Sequence, residues 1–170
     1  MEERLRRLME QAIQMEKDGI EFYENLSAKV PYESSRKMIL SFVNDEKRHL
    51  SILNDLFSSI TSIDVGKYLL ENQPKEKIKT IFDGMEDRVD PITISDELSA
   101  LKMAMDMEER SYKLYEEARD IESDQDLKRL WARLVEEEKR HYNIFFNTYD
   151  FLSNPEDWSL REERGLLDGG

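Results

Sequence analysis

The stretch Asp45-Glu46-Lys47-Arg48-His49 returns ninety-two residues later as Glu137-Glu138-Lys139-Arg140-His141. The chain has only two histidines, and each stands three residues after a glutamate in these two copies. On a helix, residues i and i+3 share a face. Each copy therefore offers one carboxylate and one imidazole to the same point in space, which is a metal-ligand pair. Two such pairs at a fixed repeat suggest a two-metal site.

The same shift superposes much more of the chain without gaps. Ala12 falls on Ala104, Met15 on Met107, Glu16 on Glu108, Tyr23 on Tyr115 and Glu24 on Glu116. Val43 falls on Val135, and Ile52 on Ile144. A repeat of this length, carried by helical periodicity, reads as a duplicated helical hairpin whose halves are related by a pseudo-twofold.

Apolar residues at spacings of three and four mark four amphipathic helices. The first covers 2–29, with Leu5, Leu8, Ala12, Glu16, Gly19, Tyr23 and Leu26 on its stripe. Pro31-Tyr32 ends it, because Pro31 lacks an amide donor and restricts Val30. The second covers 34–60, with Met38, Phe42, Glu46, His49, Leu53 and Leu56 on one face and Ser34 or Ser35 as N-cap. The third covers 95–122 and the fourth 125–153, with Glu108 on one stripe and Glu138 and His141 on the other. Residues 61–94 form a long crossover between helices 2 and 3, with short helices over 64–72 and 75–82. Such a connection inside a compact domain needs a reason, and joining two hairpins supplies one. The fold class is all-α: a four-helix bundle over 1–153, followed by an irregular tail over 154–170 with Trp158 docked on the body.

Facing residues of an antiparallel hairpin are equidistant from its turn. The midpoint between Glu16 and the Glu46/His49 pair falls at Pro31-Tyr32, and that between Glu108 and the Glu138/His141 pair falls at Ser123-Asp124. Packing the hairpins then brings six polar side chains, Glu16, Glu46, His49, Glu108, Glu138 and His141, into the bundle core. A lone Glu-x-x-His in a glutamate-rich helix is more often a solvated pair. Two copies on apolar stripes, with matched upstream glutamates, argue against that.

Four buried carboxylates would cost several kcal/mol each without compensation. Two divalent cations balance four carboxylates and two neutral imidazoles; one cation leaves the site negative. Oxygen-rich donors with one nitrogen per metal and no sulfur suit iron or manganese more than structural zinc, although zinc is possible. The chain has no cysteine, so disulfides, thiolate chemistry and iron–sulfur centres are excluded within it. Its net charge of −13 disfavours nucleic acid and anionic membrane as partners. No apolar run reaches the roughly 18 residues of a membrane span, and the N-terminus lacks an apolar signal region; the cytoplasm is the expected location.

These residues give the sequence a specific resemblance. Over about 8–152 it resembles the ferritin-like superfamily and, within it, the rubrerythrin-like di-iron carboxylate proteins; the Asp-Glu-x-Arg-His form at 45–49 is also similar to the motif of bacterial multicomponent monooxygenases. The resemblance implies two iron ions. Glu46 and Glu138 would bridge them, Glu16 and His49 would complete one, and Glu108 and His141 the other. It further implies that Asp45 and Glu137 accept from the imidazole of the opposite motif, and that Tyr23 and Tyr115 hydrogen-bond ligand carboxylates. Arg48 and Arg140 are expected in structural ion pairs.

The implied function is an oxidoreductase of the rubrerythrin-like peroxidase or oxidase kind, reducing hydrogen peroxide or dioxygen with electrons from a separate donor protein, in a homodimer. The alternative is an iron-binding or ferroxidase module for metal handling; a third reading is a metal-free interaction scaffold. Two departures from the family matter. Rubrerythrins proper carry a four-cysteine rubredoxin-like iron domain. They also carry an extra glutamate three residues after the third-helix ligand, where this chain has Ser111. Ser111 and Gly19 leave room beside the site for a small oxidant.

Overall fold

The computed structural model describes residues 3–30, 33–58 and 94–154, together with Leu69 and Asp157. They form four helices: α1 (Glu3–Lys29), α2 (Glu33–Ser58), α3 (Ile94–Ile121) and α4 (Gln125–Ser153). The chain is an all-α, ferritin-like four-helix bundle of two hairpins, α1/α2 and α3/α4, with α1 also packed on α3. The crossover expected over 61–94, its short helices, and the tail over 154–170 with Trp158 lie outside the described residues, but for Leu69, Ile94, Asn154 and Asp157.

Helix ends follow local chemistry. Asp124 caps α4, its side chain accepting from the amides of Asp126 at 2.8 Å and Leu127 at 3.0 Å; such a cap is worth about 1 kcal/mol. Glu122, expected to be helical, lies past the end of α3 and accepts from the Ser123 and Asp124 amides instead. At the other turn, α2 begins at Glu33, so Ser34 and Ser35 fall inside its first turn rather than capping it. An ion pair between Glu33 and Lys37 at 2.7 Å spans that turn, and negative charge there complements the helix dipole.

The apolar stripes pack as two clusters stacked along the bundle. One holds Leu5, Leu8, Ala12, Leu53, Tyr115, Trp131 and Leu134; the other holds Tyr23, Ile39, Phe42, Leu101, Ala104 and Phe145. They exchange under the ninety-two-residue shift: Tyr23 answers Tyr115, Phe42 answers Leu134 and Ile39 answers Trp131. Even surface pairs repeat, Lys47 with Glu24 at 2.7 Å and Lys139 with Glu116 at 2.6 Å, although exposed pairs add little stability. Between the clusters lies one band of buried polar side chains.

Candidate metal centre

The band consists of Glu16 from α1, Glu46 and His49 from α2, Glu108 from α3, and Glu138 and His141 from α4, all buried. Helical spacing fixes this. Each residue occupies a core position of its stripe at the level where both hairpins face one another, so the six cannot avoid meeting. They fall into two groups of four, Glu16/Glu46/His49/Glu138 and Glu46/Glu108/Glu138/His141. Within each group, one ligand atom per residue lies within 4.8 Å of all the others. Glu46 and Glu138 belong to both.

His49 Nδ1 lies 2.8 Å from Glu138 Oε1, 3.3 Å from Glu46 Oε2 and 3.7 Å from Glu16 Oε2. His141 Nδ1 lies 3.3 Å from Glu138 Oε2, 3.5 Å from Glu46 Oε1 and 3.7 Å from Glu108 Oε2. Thus Glu46 and Glu138 each turn one oxygen to either imidazole, and the imidazole rings stand 6.2 Å apart. Cis donors bound about 2.1 Å from one cation are roughly 3.0 Å from each other, so these spacings fit a metal ion in each group. Hydrogen bonding agrees. Glu16 Oε2, both Glu138 carboxylate oxygens, His49 Nδ1 and His141 Nδ1 are buried without a hydrogen-bond partner. Buried polar atoms are rarely left so, and these all face the centre. The donor set and its unsatisfied atoms fit a metal centre.

The outer nitrogens are spoken for. His49 Nε2 meets Glu137 Oε2 at 2.8 Å, and His141 Nε2 meets Asp45 Oδ2 at 3.1 Å. A carboxylate only accepts, so each Nε2 carries a proton and each Nδ1 faces inward, where its lone pair is available to a metal once no proton sits there. Arg48 joins the two anchors, reaching Asp45 at 3.0 Å and Glu137 at 2.5 Å, while Arg140 lies 3.5 Å from Asp45. The tyrosines cross over: Tyr23 on α1 donates to Glu108 on α3, and Tyr115 on α3 donates to Glu16 on α1.

Charge sorts the four carboxyls into pairs. Burial raises Glu16 and Glu108 well above the usual carboxylate range, and the charges of Glu46 and Glu138 push them further. Burial also opposes ionisation of Glu46 and Glu138, and for Glu138 the charge of Glu46 adds to it, but the adjacent imidazoles outweigh this and hold both low. Burial disfavours charge on His49 and His141, yet Glu138 and Glu108 respectively lead the carboxylates that raise them well above the ordinary imidazole value. Without metal, Glu16, Glu108, His49 and His141 are all shifted toward their protonated forms.

The structure thus brings together all six residues read as ligands, and sets Asp45, Glu137, Tyr23 and Tyr115 against them. Sequence reasoning passed over Arg133, whose Nε bonds Glu137 Oε1 at 2.8 Å. Its i,i+4 spacing from Glu137 was the available signal. The room expected beside Gly19 and Ser111 is present: α1 and α3 frame a cavity of about 100 Å³, lined by Met15, Gly19, Glu46, Met107 and Ser111 among others. Exposed Arg110 and Asp18 border it, and buried Glu16 and Glu108 form part of its wall.

Comparison with known proteins agrees with this picture. The rubrerythrin family profile matches residues 7–149. A hypothetical protein from Pyrococcus furiosus, of solved structure, is 25% identical with a TM-score of 0.66, over 89% of this chain and 92% of that one. No curated protein sequence matches. No helix among the described residues is long and apolar enough to cross a membrane.

Proposed function

This chain belongs to the rubrerythrin family, and we propose that it is a non-haem di-iron oxidoreductase that reduces hydrogen peroxide or dioxygen. The observation that carries the reading is the pair of four-residue groups sharing Glu46 and Glu138. Glu16 and His49 would hold one ion and Glu108 and His141 the other, with the two shared glutamates touching both. Bound there, two iron ions supply two electrons by passing from the di-ferrous to the di-ferric state. Manganese or zinc could occupy the same donors.

The chain's own residues set the conditions. The Asp45 and Glu137 carboxylates fix the imidazole tautomers, and Tyr23 and Tyr115 hold the Glu108 and Glu16 carboxylates in place. The two apolar clusters exclude water along the bundle axis, which strengthens every charge interaction between them. The α1/α3 cavity is large enough for a small oxidant and too small for an extended substrate. Position 19 has no side chain and position 111 only a hydroxymethyl, so the wall nearest Glu16 and Glu108 stays open. The 170 residues contain no cysteine, so the electrons for turnover reach the centre from outside this bundle, and a donor protein is the source we assign. We place the protein in the cytoplasm, as a homodimer.

The alternative is iron binding or ferroxidase activity without peroxidase turnover, which the acidic cavity wall of Glu16, Glu46, Glu108 and Asp18 would also serve by attracting cations. One experiment separates the readings. Metal content per chain is measured on anaerobically purified, iron-reconstituted protein, and the same sample is followed optically as hydrogen peroxide and then air are added. Two irons per chain, oxidised faster by peroxide, support the peroxidase reading. Two irons oxidised mainly by air favour the oxidase or ferroxidase. No stoichiometric metal after reconstitution overturns both.

A further inference from the structure

The two halves repeat closely at the ligands and differ in what stands behind them. Behind His49 is Glu137, only 1% exposed. Its Oε2 accepts from His49 at 2.8 Å and Arg48 at 2.5 Å, and its Oε1 accepts from Arg133 at 2.8 Å. Behind His141 is Asp45, one methylene shorter, with its side chain 23% exposed. Its contacts are longer: His141 at 3.1 Å, Arg48 at 3.0 Å and Arg140 at 3.5 Å.

The pseudo-twofold places Ser41 where Arg133 stands in the other half. Ser41 is exposed and gives its hydroxyl to the Met38 carbonyl at 2.6 Å. The part-buried Arg133–Glu137 contact therefore has no counterpart on the His141 side, where Asp45 keeps Arg48 on Oδ1 and Arg140 on Oδ2 at longer range. Charge interactions grow stronger as water is removed. Both carboxylates are contacted through both oxygens, but the shorter contacts of the drier Glu137 hold an imidazole more rigidly than the longer ones of Asp45 at the edge of solvent, and such outer partners commonly alter metal affinity by about 10- to 100-fold.

On the reading that the centre takes two metal ions, we infer that they bind unequally: the position of Glu16 and His49 fills first and holds its ion more tightly than that of Glu108 and His141. Arg133 is the positioning residue that sets this order, acting through Glu137. At limiting metal the protein is then a defined one-ion species, with its second position open to exchange.

The test is an anaerobic titration of the metal-free full chain with manganese(II), the free ion being followed by electron paramagnetic resonance. Two ions should bind in two steps about tenfold or more apart. Arg133→Ala should weaken the first step and leave the second in place. Ser41→Arg, which gives Asp45 the i,i+4 arginine it lacks, should strengthen the second step. Both variants narrow the gap from opposite sides, whereas general loosening of the fold would weaken both steps together. The tight step should survive His141→Ala and vanish in His49→Ala, with circular dichroism confirming that each variant is folded. Two ions bound with one common affinity, a tight step that survives His49→Ala, or an unchanged gap in Arg133→Ala would each overturn the inference while leaving a two-metal centre intact. No manganese bound to the wild-type chain would overturn the metal reading as well.

Discussion

Tyr115 on α3 donates its hydroxyl to Glu16 on α1, so that a candidate metal-binding carboxylate of one half of the chain is held by a residue of the other. Both groups are buried. Tyr115→Phe leaves the Glu16 oxygen without its donor at a cost of about 1–3 kcal/mol, and loosens the Glu16/His49 position for metal by about tenfold. Tyr23→Phe should do the same at Glu108 and His141. Urea unfolding midpoints and manganese titrations measure the two effects separately. Unchanged metal affinity in both variants would sink the positioning role.

Metal and protons compete for one charge requirement. Glu16, Glu108, His49 and His141 all have raised folded-state values. Each contributes stability that is fully present below its unfolded value, about 4.3 for Glu and 6.5 for His, and is lost as pH rises through its folded value. Asp45 and Glu137 are held low: burial opposes this, but hydrogen bonds from His141 and His49 respectively, with arginine contacts, prevail. Their contribution is present above the unfolded values and is lost in acid. The metal-free protein should therefore lose stability on both sides of a mildly acidic optimum. Metal and protons compete for these groups, so the rise in melting temperature on adding manganese should be larger at pH 8 than at pH 6. Metal binding should also release protons, measured in unbuffered solution. A pH-independent rise with no proton release would contradict this.

Gly19 is a glycine in the middle of α1, where alanine is normally worth about 0.5–1 kcal/mol more. A Cβ built there meets Glu46 Cγ and Met107 Cε at 3.8 Å each, which is ordinary contact. Gly19→Ala should raise the unfolding midpoint by that amount and keep two metals. Gly19→Leu should keep the metals but occupy the cavity, slowing oxidation of the reduced centre by peroxide in stopped flow. Equal oxidation rates in the leucine variant and the wild type would show that the oxidant uses another route.

Ser111 borders the same cavity. Ser111→Glu adds a carboxylate beside Glu108 and Glu16. Metal-free, it should destabilise the fold by about 1–3 kcal/mol. With metal bound the added charge finds a partner, so the rise in melting temperature on metal addition should exceed that of the wild type. Thermal melts with and without manganese test this, and an equal rise would place the new side chain away from the metals.

How much of this was legible in the chain depends on whether a residue broke a pattern. Glu16, Glu46, His49, Glu108, Glu138 and His141 stand out because each interrupts an apolar stripe at a repeated position, and hairpin midpoints put them at one level. Ser123-Asp124 as a turn follows from the same arithmetic, and Asp124 does cap α4. Arg133 was hard to single out because it breaks nothing: its i,i+4 spacing from Glu137 is one of many such pairs in a charged helix, and burial against Glu137 is what distinguishes it. Gly19 and Ser111 were legible as small residues beside the ligand positions, whereas Met15 and Met107 in the same cavity wall were not, because their place depends on how closely α1 approaches α3. The start of α2 at Glu33 falls one residue before the expected one, so the serines that the residue types suggest as caps lie within its first turn.

The anchoring runs between halves throughout: Glu137 to His49, Asp45 to His141, Tyr23 to Glu108, Tyr115 to Glu16. Neither hairpin can complete its own ligands, so a hairpin alone would need a second one to finish them. Two identical hairpins in symmetric partnership would have to share every substitution. Joining them in one chain makes their meeting intramolecular and also lifts that obligation. Only a fused pair can keep Arg133 opposite Ser41, Glu137 opposite Asp45, or Trp131 opposite Ile39, and so let one side specialise while the other stays as it was.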